Sequence, residues 1–244
     1  MDDRLPTESG HTDTDRIDRA EQASSLAVWR AAVAAGYEVD ILDEPEFAAA
    51  AAPALPGPIF NTAYGVANVT ERLDRAVALF RDHESVGWVW ASEAPWPMAV
   101  VDSTAVYAAA PVERLVPRSL PDTDVTIREV GRHETGDWAR VVVEAAELRG
   151  DVAQAWRDLE PALARGPSFH RFIAELDGRP VGTGAIHIDR DVGWLRAGTA
   201  GELGCDLVGA SADSSSISAR NLERLGFEIA ATRQRVRINA DSPA

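Results

Sequence analysis

The stretch from residue 192 to residue 227 limits what this 244-residue chain can fold into more than any other. Two apolar strand patterns, 192–199 and 205–210, precede a helix that ends at Leu225-Gly226-Phe227. Such alternation is typical of α/β proteins with parallel strands. Only residues 200–204 link the two strands, and parallel neighbours need a crossover of roughly a dozen residues. We therefore expect 205–210 to turn back as a hairpin partner, to lie elsewhere in the sheet, or to be donated to another subunit.

Composition limits the partners and the compartment. The chain has 24 basic and 39 acidic residues, a formal net charge of −15, so we expect no nucleic-acid or membrane partner. No apolar run approaches the roughly 20 residues of a membrane helix, and the first residues lack a signal-peptide pattern. Because Cys205 is the only cysteine, an intrachain disulfide and a multi-cysteine zinc site are excluded. We expect an acidic, cytoplasmic protein with no metal.

Composition also divides the chain into a lead-in and two halves. Residues 1–22 are charged and poor in large apolar side chains, which predicts an acidic, flexible lead-in that is either disordered or loosely helical. Residues 23–116 predict a first α/β half, with a helix over 24–35 and further strands and helices. Prolines in 117–122 mark the boundary, and residues 122–240 predict the second half.

The second half begins with a clear succession of patterns. Asp177-Gly178 is a strong hairpin turn signal between two alternating runs. The predicted order is strand, helix, helix, strand, strand, over 125–130, 133–148, 152–160, 169–176 and 181–188.

Three strings in this half carry a family resemblance: VTIREV from Val125, FIAELDGRPVGTGAIHI from Phe172, and SARNLERLGFEIAATRQRVRI from Ser218. They resemble the GNAT superfamily of N-acetyltransferases, and residues 60–110 resemble more weakly the first half of tandem GNAT-like proteins. The resemblance implies a mixed α/β (α+β) sheet of the GNAT-like acyl-CoA N-acyltransferase fold in two halves, the second shortened between its fourth and fifth strands. It also implies acetyl-CoA as cosubstrate and a small-molecule primary amine as acceptor.

The sequence departs from the family pattern at its phosphate site. Members bind the pyrophosphate on an R/Q-x-x-G-x-G/A loop that opens a helix, because helix N-terminal amides attract anions. Here the matching string RPVGTG, 179–184, lies in a hairpin where no helix begins, so the loop and its helix are missing after residue 200. By resemblance, the remaining cofactor-binding residues are the backbone of Ala197, Gly198 and Thr199, and Asn221 on the last helix.

The catalytic residues stay unassigned, and two functions stay open. Leu222 occupies the position of the family's usual Tyr acid, and no Glu lies in 192–200 to serve as the base. Asp189, Asp191 and Glu175 are nearby carboxylates, for which ordinary solvation is the favoured interpretation. The chain is either an N-acetyltransferase or a non-catalytic GNAT-like binding protein that has lost cofactor binding, with a homodimer as one assembly.

Other residues have an ordinary and a functional interpretation. His170 and His187 are expected on one face of the hairpin, where packing is favoured over a metal or proton-relay pair. Trp194 is a candidate pocket residue. Four arginines are predicted to be solvated and paired with neighbouring acids rather than to bind an anion: Arg149, Arg165, Arg171 and Arg179.

Overall fold

The computed structural model describes residues 12–66, 69–92, 100–115, 125–197 and 205–238. Within these ranges the α-helices are α1 (Asp13–Ala34), α2 (Thr70–Asp82), α3 (Asp137–Ala145), α4 (Gly150–Arg165) and α5 (Ile217–Arg224). The strands are β1 (Asp40–Glu44), β2 (Phe47–Ala51), β3 (Thr62–Tyr64), β4 (Gly87–Ala91), β5 (Val100–Pro111), β6 (Val125–Glu129), β7 (Phe169–Leu176), β8 (Arg179–Asp189), β9 (Val192–Ala197), β10 (Leu207–Asp213) and β11 (Glu228–Ile238).

All described strands belong to one mixed sheet, in the order β1-β2-β3-β4-β11-β5-β10-β9-β8-β7-β6. The pairs β3/β4 and β9/β10 are parallel, and the other described neighbours are antiparallel. The late strand β11 lies between β4 and β5, so strands from both predicted halves alternate at the centre of the sheet. The mixed α/β architecture is confirmed. The boundary predicted near 117–122 stays a prediction, because residues 116–124 lie outside the described ranges.

Helices cover both faces of this sheet. Side chains of α1, α3 and α4 pack against one face, which we call the α1 face. Side chains of α2 and α5 pack against the opposite face, which we call the α5 face. Successive strand residues alternate between the two faces: Trp194 packs with the α1 group and Leu195 with the α5 group. None of the described helices has the length and apolarity needed to cross a membrane.

The first helix begins earlier than expected. Thr12 caps α1: its hydroxyl accepts from the Asp15 amide at 3.3 Å, and the Asp15 carboxylate accepts from the Thr12 amide at 3.0 Å. Ile17 and Ala20 are fully buried. Over residues 13–22 the disordered alternative is therefore wrong, and the chain is helical there. Residues 1–11 lie outside the described ranges.

The predicted hairpin is confirmed, but its register differs. Asp177 and Gly178 have φ of 50° and 72°, as a two-residue type I′ turn requires. A register shift at Ala174 and Glu175 then changes the pairing, so that His170 lies opposite Ile186 and His187 opposite Phe169. Because neighbouring positions point to opposite faces, the two histidines do not share a face, and the prediction that they do is wrong.

The structure also defines where two shorter helices begin. α2 begins after Val69, and Thr70 is already its first helical residue. In α5, Ser216 is the cap, because its hydroxyl accepts from the amide of Ala219 at 3.1 Å.

Candidate functional site

The centre of the site is the parallel pair β9/β10. Val192 pairs with Leu207, and the pairing ends at Leu195 and Ala210. Beyond these residues β9 continues along β8 to Ala197, whereas β10 continues along β5 to Asp213. The strands therefore separate toward their carboxyl ends. All three arrangements expected from the short link, a hairpin, a distant position and a swapped strand, are wrong.

The gap opens into a cavity of about 650 Å³ that reaches both faces of the sheet. On the α1 face it is lined by α1, α3, α4 and the neighbouring strands, and on the α5 face by β10 and α5. Most of its walls are apolar. The described lining residues are Glu21, Ser25, Pro58, Ile59, Tyr64, Trp90, Trp138, Val142, Trp156, Phe169, Trp194, Leu195, Ala210, Ser211, Ala212, Ser218, Asn221, Leu222, Leu225 and Arg235.

On the α5 face, one side of α5 borders the gap. Ser218, Asn221 and Leu222 follow helical spacing and line the cavity together. The Asn221 carboxamide oxygen accepts from Arg224 one turn later, at 3.4 Å. These side chains place hydroxyl and amide groups beside a gap whose floor, Leu195 and Ala210, is apolar.

On the α1 face, the cavity contains a buried carboxylate. Glu21 is 4% exposed, and its Oε1 accepts a hydrogen bond from the Tyr107 hydroxyl at 3.1 Å. Burial, and after it the nearby Glu21 charge, raises the pKa of Tyr107 well above its usual value. Tyr107 is thus held as a neutral donor. One turn further along α1, Ser25 donates to the Tyr64 hydroxyl at 3.0 Å.

Aromatic rings surround the end of the cavity that contains Glu21. Tyr107 lies between Trp90 and Trp194, with ring centroids 6.0 Å away in each case. Two guanidinium groups stack on the same rings: Arg233 lies 4.5 Å from the Tyr107 centroid and Arg235 5.8 Å from the Trp90 centroid. Each guanidinium also pairs with a carboxylate, Arg233 with Asp18 and Arg235 with Asp102.

Ion pairs fix the closed end of β9/β10. Arg16 of α1 donates to Asp191 at 2.7 Å and to Asp206 at 2.6 Å. Asp189 pairs with Arg19, and Glu175 pairs with Arg128 at 3.2 Å. Asp189, Asp191 and Glu175 are not among the described lining residues, which agrees with their ordinary interpretation.

The thiol and the histidines lie away from the gap. Burial, followed by the charges of Asp206 and Asp191, raises the pKa of the Cys205 thiol. His170 pairs with Glu129 at 2.8 Å, and His187 packs against the Phe169 ring. Within the described ranges, no three His, Cys, Asp or Glu side chains lie together as metal ligands would.

Of the four arginines, Arg171 differs most from expectation. It is buried, and its Nη1 lies 2.6 Å from Oε1 of Glu160, which is also buried. Its Nη2 donates to the carbonyls of Gly131 and Glu134. The prediction of a solvated residue is therefore wrong for Arg171. None of the four is among the described residues that line the cavity.

Comparison with known proteins identifies the architecture. No family model matches the sequence, and no curated protein matches it in sequence. A GCN5-related N-acetyltransferase from Kribbella flavida is similar in structure, with a TM-score of 0.57 at 15% identity, over 89% of this chain and 95% of that one. A tandem GNAT protein from the clavulanic acid biosynthesis pathway gives 0.54 at 13% identity, over 93% and 96%. The chain has a tandem GNAT fold.

A third structure with the GNAT fold, a GCN5-related N-acetyltransferase from Sphaerobacter thermophilus, has a TM-score of 0.51 at 15% identity, over 91% of this chain and 95% of that one. These three similarities cover between 89 and 93% of this chain. The resemblance inferred from the three strings is thereby confirmed at the level of fold.

The structure describes two of the four predicted cofactor-binding residues. Ala197 is the last residue of β9 and pairs with Ala185. Asn221 lines the cavity beside the gap. Gly198 and Thr199 lie outside the described residues. The role of all four in cofactor binding stays a prediction.

Sequence analysis missed the α1 side of the site. Glu21 belongs to the segment predicted as a flexible lead-in. Apolar and small residues nevertheless recur there at helical spacing, at Ile17, Ala20, Ser24 and Val28, which extends the helix pattern toward the N-terminus. A glutamate on the inward side of that helix is the signal available in the sequence, because charged residues are seldom fully buried unless they have a partner. Trp194, in contrast, is both a buried core residue and part of the cavity lining, which was its functional interpretation.

Proposed function

We propose that this protein is an acyl-CoA-dependent N-acyltransferase that transfers an acetyl group from acetyl-CoA to a primary amine on a small molecule. The observation that carries the proposal is the separation of the parallel strands after Leu195 and Ala210, within a cavity that reaches both faces of the sheet. Two reactants entering from opposite faces would meet in this gap. Bringing them together contributes much of the rate enhancement in a bimolecular transfer.

The donor fits the α5 face. Where β9 and β10 separate, they no longer form hydrogen bonds with each other, so their backbone groups face the gap. An extended chain that contains amides can pair with these groups, as an added β-strand does. The pantetheine arm of coenzyme A is such a chain. Ala197, with the predicted Gly198 and Thr199, would supply the backbone partners, and Ser218 and Asn221 would supply side-chain hydrogen bonds.

The acetyl thioester supplies an activated acyl group. The amine nitrogen forms a bond to the carbonyl carbon, the carbon–sulfur bond breaks, and the amine loses a proton as the thiolate gains one. Leu222 cannot give that proton, because its side chain has no ionisable group. In this chain the described residues at the gap position the reactants, and the apolar walls exclude water.

Calorimetric titration with acetyl-CoA tests the proposal. We expect measurable heat, and a rise in Tm with ligand concentration, because a ligand that binds only the folded state stabilises it. Asn221→Ala should weaken binding about fivefold, the loss of roughly one hydrogen bond. Glu223→Ala, an exposed change on the same helix, is the matched control and should bind as the unmodified protein does.

Turnover is the second half of the test. Release of free thiol from acetyl-CoA should require a primary amine and should not occur with the corresponding alcohol. If millimolar acetyl-CoA gives neither heat nor a thermal shift, the proposed function is refuted. That absence of binding would instead support the non-catalytic alternative, which has lost cofactor binding. Binding of acetyl-CoA without turnover for any primary amine would also refute the proposed function.

A further inference from the structure

The α1 end of the cavity has the chemistry of a cation site. Glu21 is a carboxylate that is almost fully buried, and Tyr107 fixes one of its oxygens through a 3.1 Å hydrogen bond. A buried anion attracts a cation much more strongly than an exposed one, because water screens the interaction less. The carboxylate comes from α1, which precedes the first strand, and not from a strand of the gap.

The aromatic rings beside Glu21 strengthen this attraction. The faces of Trp and Tyr rings carry negative charge density that favours cations. Trp90 and Trp194 line the cavity and flank Tyr107. Arg233 already lies over Tyr107 and Arg235 over Trp90, so Trp194 is the ring of the three with no described cation contact.

The other residues that line the cavity determine which kind of molecule can carry the cation. Further into the α1 face, the cavity is lined by rings and aliphatic side chains: Ile59, Trp138, Val142, Trp156 and Phe169. Among the described lining residues Glu21 is the only acidic one, and Arg235 the only basic one, which Asp102 already binds at 2.7 and 3.0 Å. Outside the lining, the charge of Arg233 also acts on Glu21, but Asp18 pairs with that guanidinium. One carboxylate in an apolar hollow fits a molecule with one positive charge and an apolar body. It does not fit a diamine or a polyamine.

We propose that Glu21 binds the ammonium group of the acceptor, and that the acceptor is a monoamine carried on an aromatic or aliphatic body. The proposal rests on the proposed function and names the substrate class of that same site. The apolar body lies among the rings of the α1 face, and the nitrogen lies between Glu21 and the gap. Glu21 is thus a specificity-determining residue contributed by α1.

The test measures amine binding without any acyl donor. Quenching of tryptophan fluorescence is followed during titration with 2-phenylethylamine, 2-phenylethanol and 1,4-diaminobutane. We expect 2-phenylethylamine to bind at least about tenfold more tightly than the uncharged alcohol of the same shape, because only the amine gains the charged contact. The diamine should bind at least about tenfold more weakly than 2-phenylethylamine, because its apolar part is small and its second charge has no carboxylate there.

Variants assign the effect to Glu21. Glu21→Gln should lower the affinity for 2-phenylethylamine about tenfold and leave that for 2-phenylethanol nearly unchanged. Asp13→Asn removes one charge from the exposed start of the same helix and should change neither affinity. The comparison of the amine with the alcohol in the unmodified protein does not depend on any variant folding correctly.

Three results would overturn the proposal: equal affinity for the amine and the alcohol, equal amine affinity in the Glu21→Gln protein, or no binding of 2-phenylethylamine. Because no acyl donor is present, a protein that binds acetyl-CoA but not the amine refutes this inference alone. A protein that binds the amine but not acetyl-CoA refutes the proposed function and leaves Glu21 as a cation site.

Discussion

The hydroxyl of Tyr107 donates to Glu21 across 3.1 Å, joining a central strand to a helix 86 residues earlier in the chain. Tyr107→Phe keeps the ring and removes the donor. Because a buried acceptor then loses a partner, we expect the free energy of unfolding to fall by about 1–3 kcal/mol, and 2-phenylethylamine to bind several-fold more weakly as Glu21 loses its orientation. Urea unfolding and fluorescence titration measure the two effects. Unchanged values in both would contradict the role given to this hydrogen bond.

Gly209 sets the position of Trp194 in the cavity wall. A Cβ at Gly209 would lie 2.8 Å from Ile17 and 2.9 Å from the Trp194 ring, closer than such atoms approach in folded proteins. We expect Gly209→Ala to cost about 1–3 kcal/mol through overpacking and to shift tryptophan emission. Gly182→Ala, whose Cβ would meet only the Ala174 methyl at 3.5 Å, is the control and should leave emission unchanged. Equal effects of the two variants would refute this account.

The buried pair of Arg171 and Glu160 holds α4 against β7. Arg171→Met removes one charge and leaves Glu160 buried, which we expect to lower the free energy of unfolding by about 3–5 kcal/mol. Arg140→Met breaks an exposed pair with Glu144, 3.2 Å away, and should change stability by less than about 0.5 kcal/mol. Chemical denaturation compares the variants. If Arg171→Met lowers the free energy of unfolding by less than about 1 kcal/mol, well below the cost of breaking a buried pair, Glu160 does not need this partner.

Tyr37 should titrate at unusually high pH. Burial, and then its 2.7 Å hydrogen bond to Asp158, raises the pKa of this phenol to about 12. Since the folded pKa exceeds the unfolded value near 10, its contribution to stability is fully present below pH 10 and is lost as the pH rises from 10 to 12. Absorbance at the phenolate band, compared with that of Tyr37→Phe, isolates its titration. A Tyr37 midpoint near 10 would contradict the structure.

Local chemistry made part of the fold predictable. The Asp177-Gly178 turn was found because both residues adopt positive φ at low cost and the flanking runs alternate. The start of α1 is hard to predict because residues 1–22 have the charge of a solvated segment, although Thr12 and Asp15 form a helix-capping pair. If α1 is taken to begin at residue 24, Glu21 lies outside the helix, so its position in the cavity cannot be predicted.

The parallel pairing of β9 and β10 was missed for a different reason. A crossover of about a dozen residues is typical of parallel strands joined by a helix. A link without a helix can be shorter. The nine residues 198–206 between the strands can span up to about 30 Å, whereas returning along five strand residues needs only about 17 Å. Some neighbouring strands are far apart in sequence, as β11 is from β4 and β5. The alternation of apolar and polar residues shows which face of a strand is buried, but not which strand lies beside it.

The position of β11 has a consequence for the order in which the protein can be assembled. A ribosome makes β4 and β5 long before residues 228–238, yet the place between the two earlier strands must remain open until β11 arrives. Two unpaired strand edges are therefore exposed on the nascent chain, a state prone to aggregation. The gap between β9 and β10 lies beside β5, which pairs with both β10 and β11. It can reach its final shape only after β11 has been made, so folding of the candidate site is expected to be post-translational and to benefit from a chaperone.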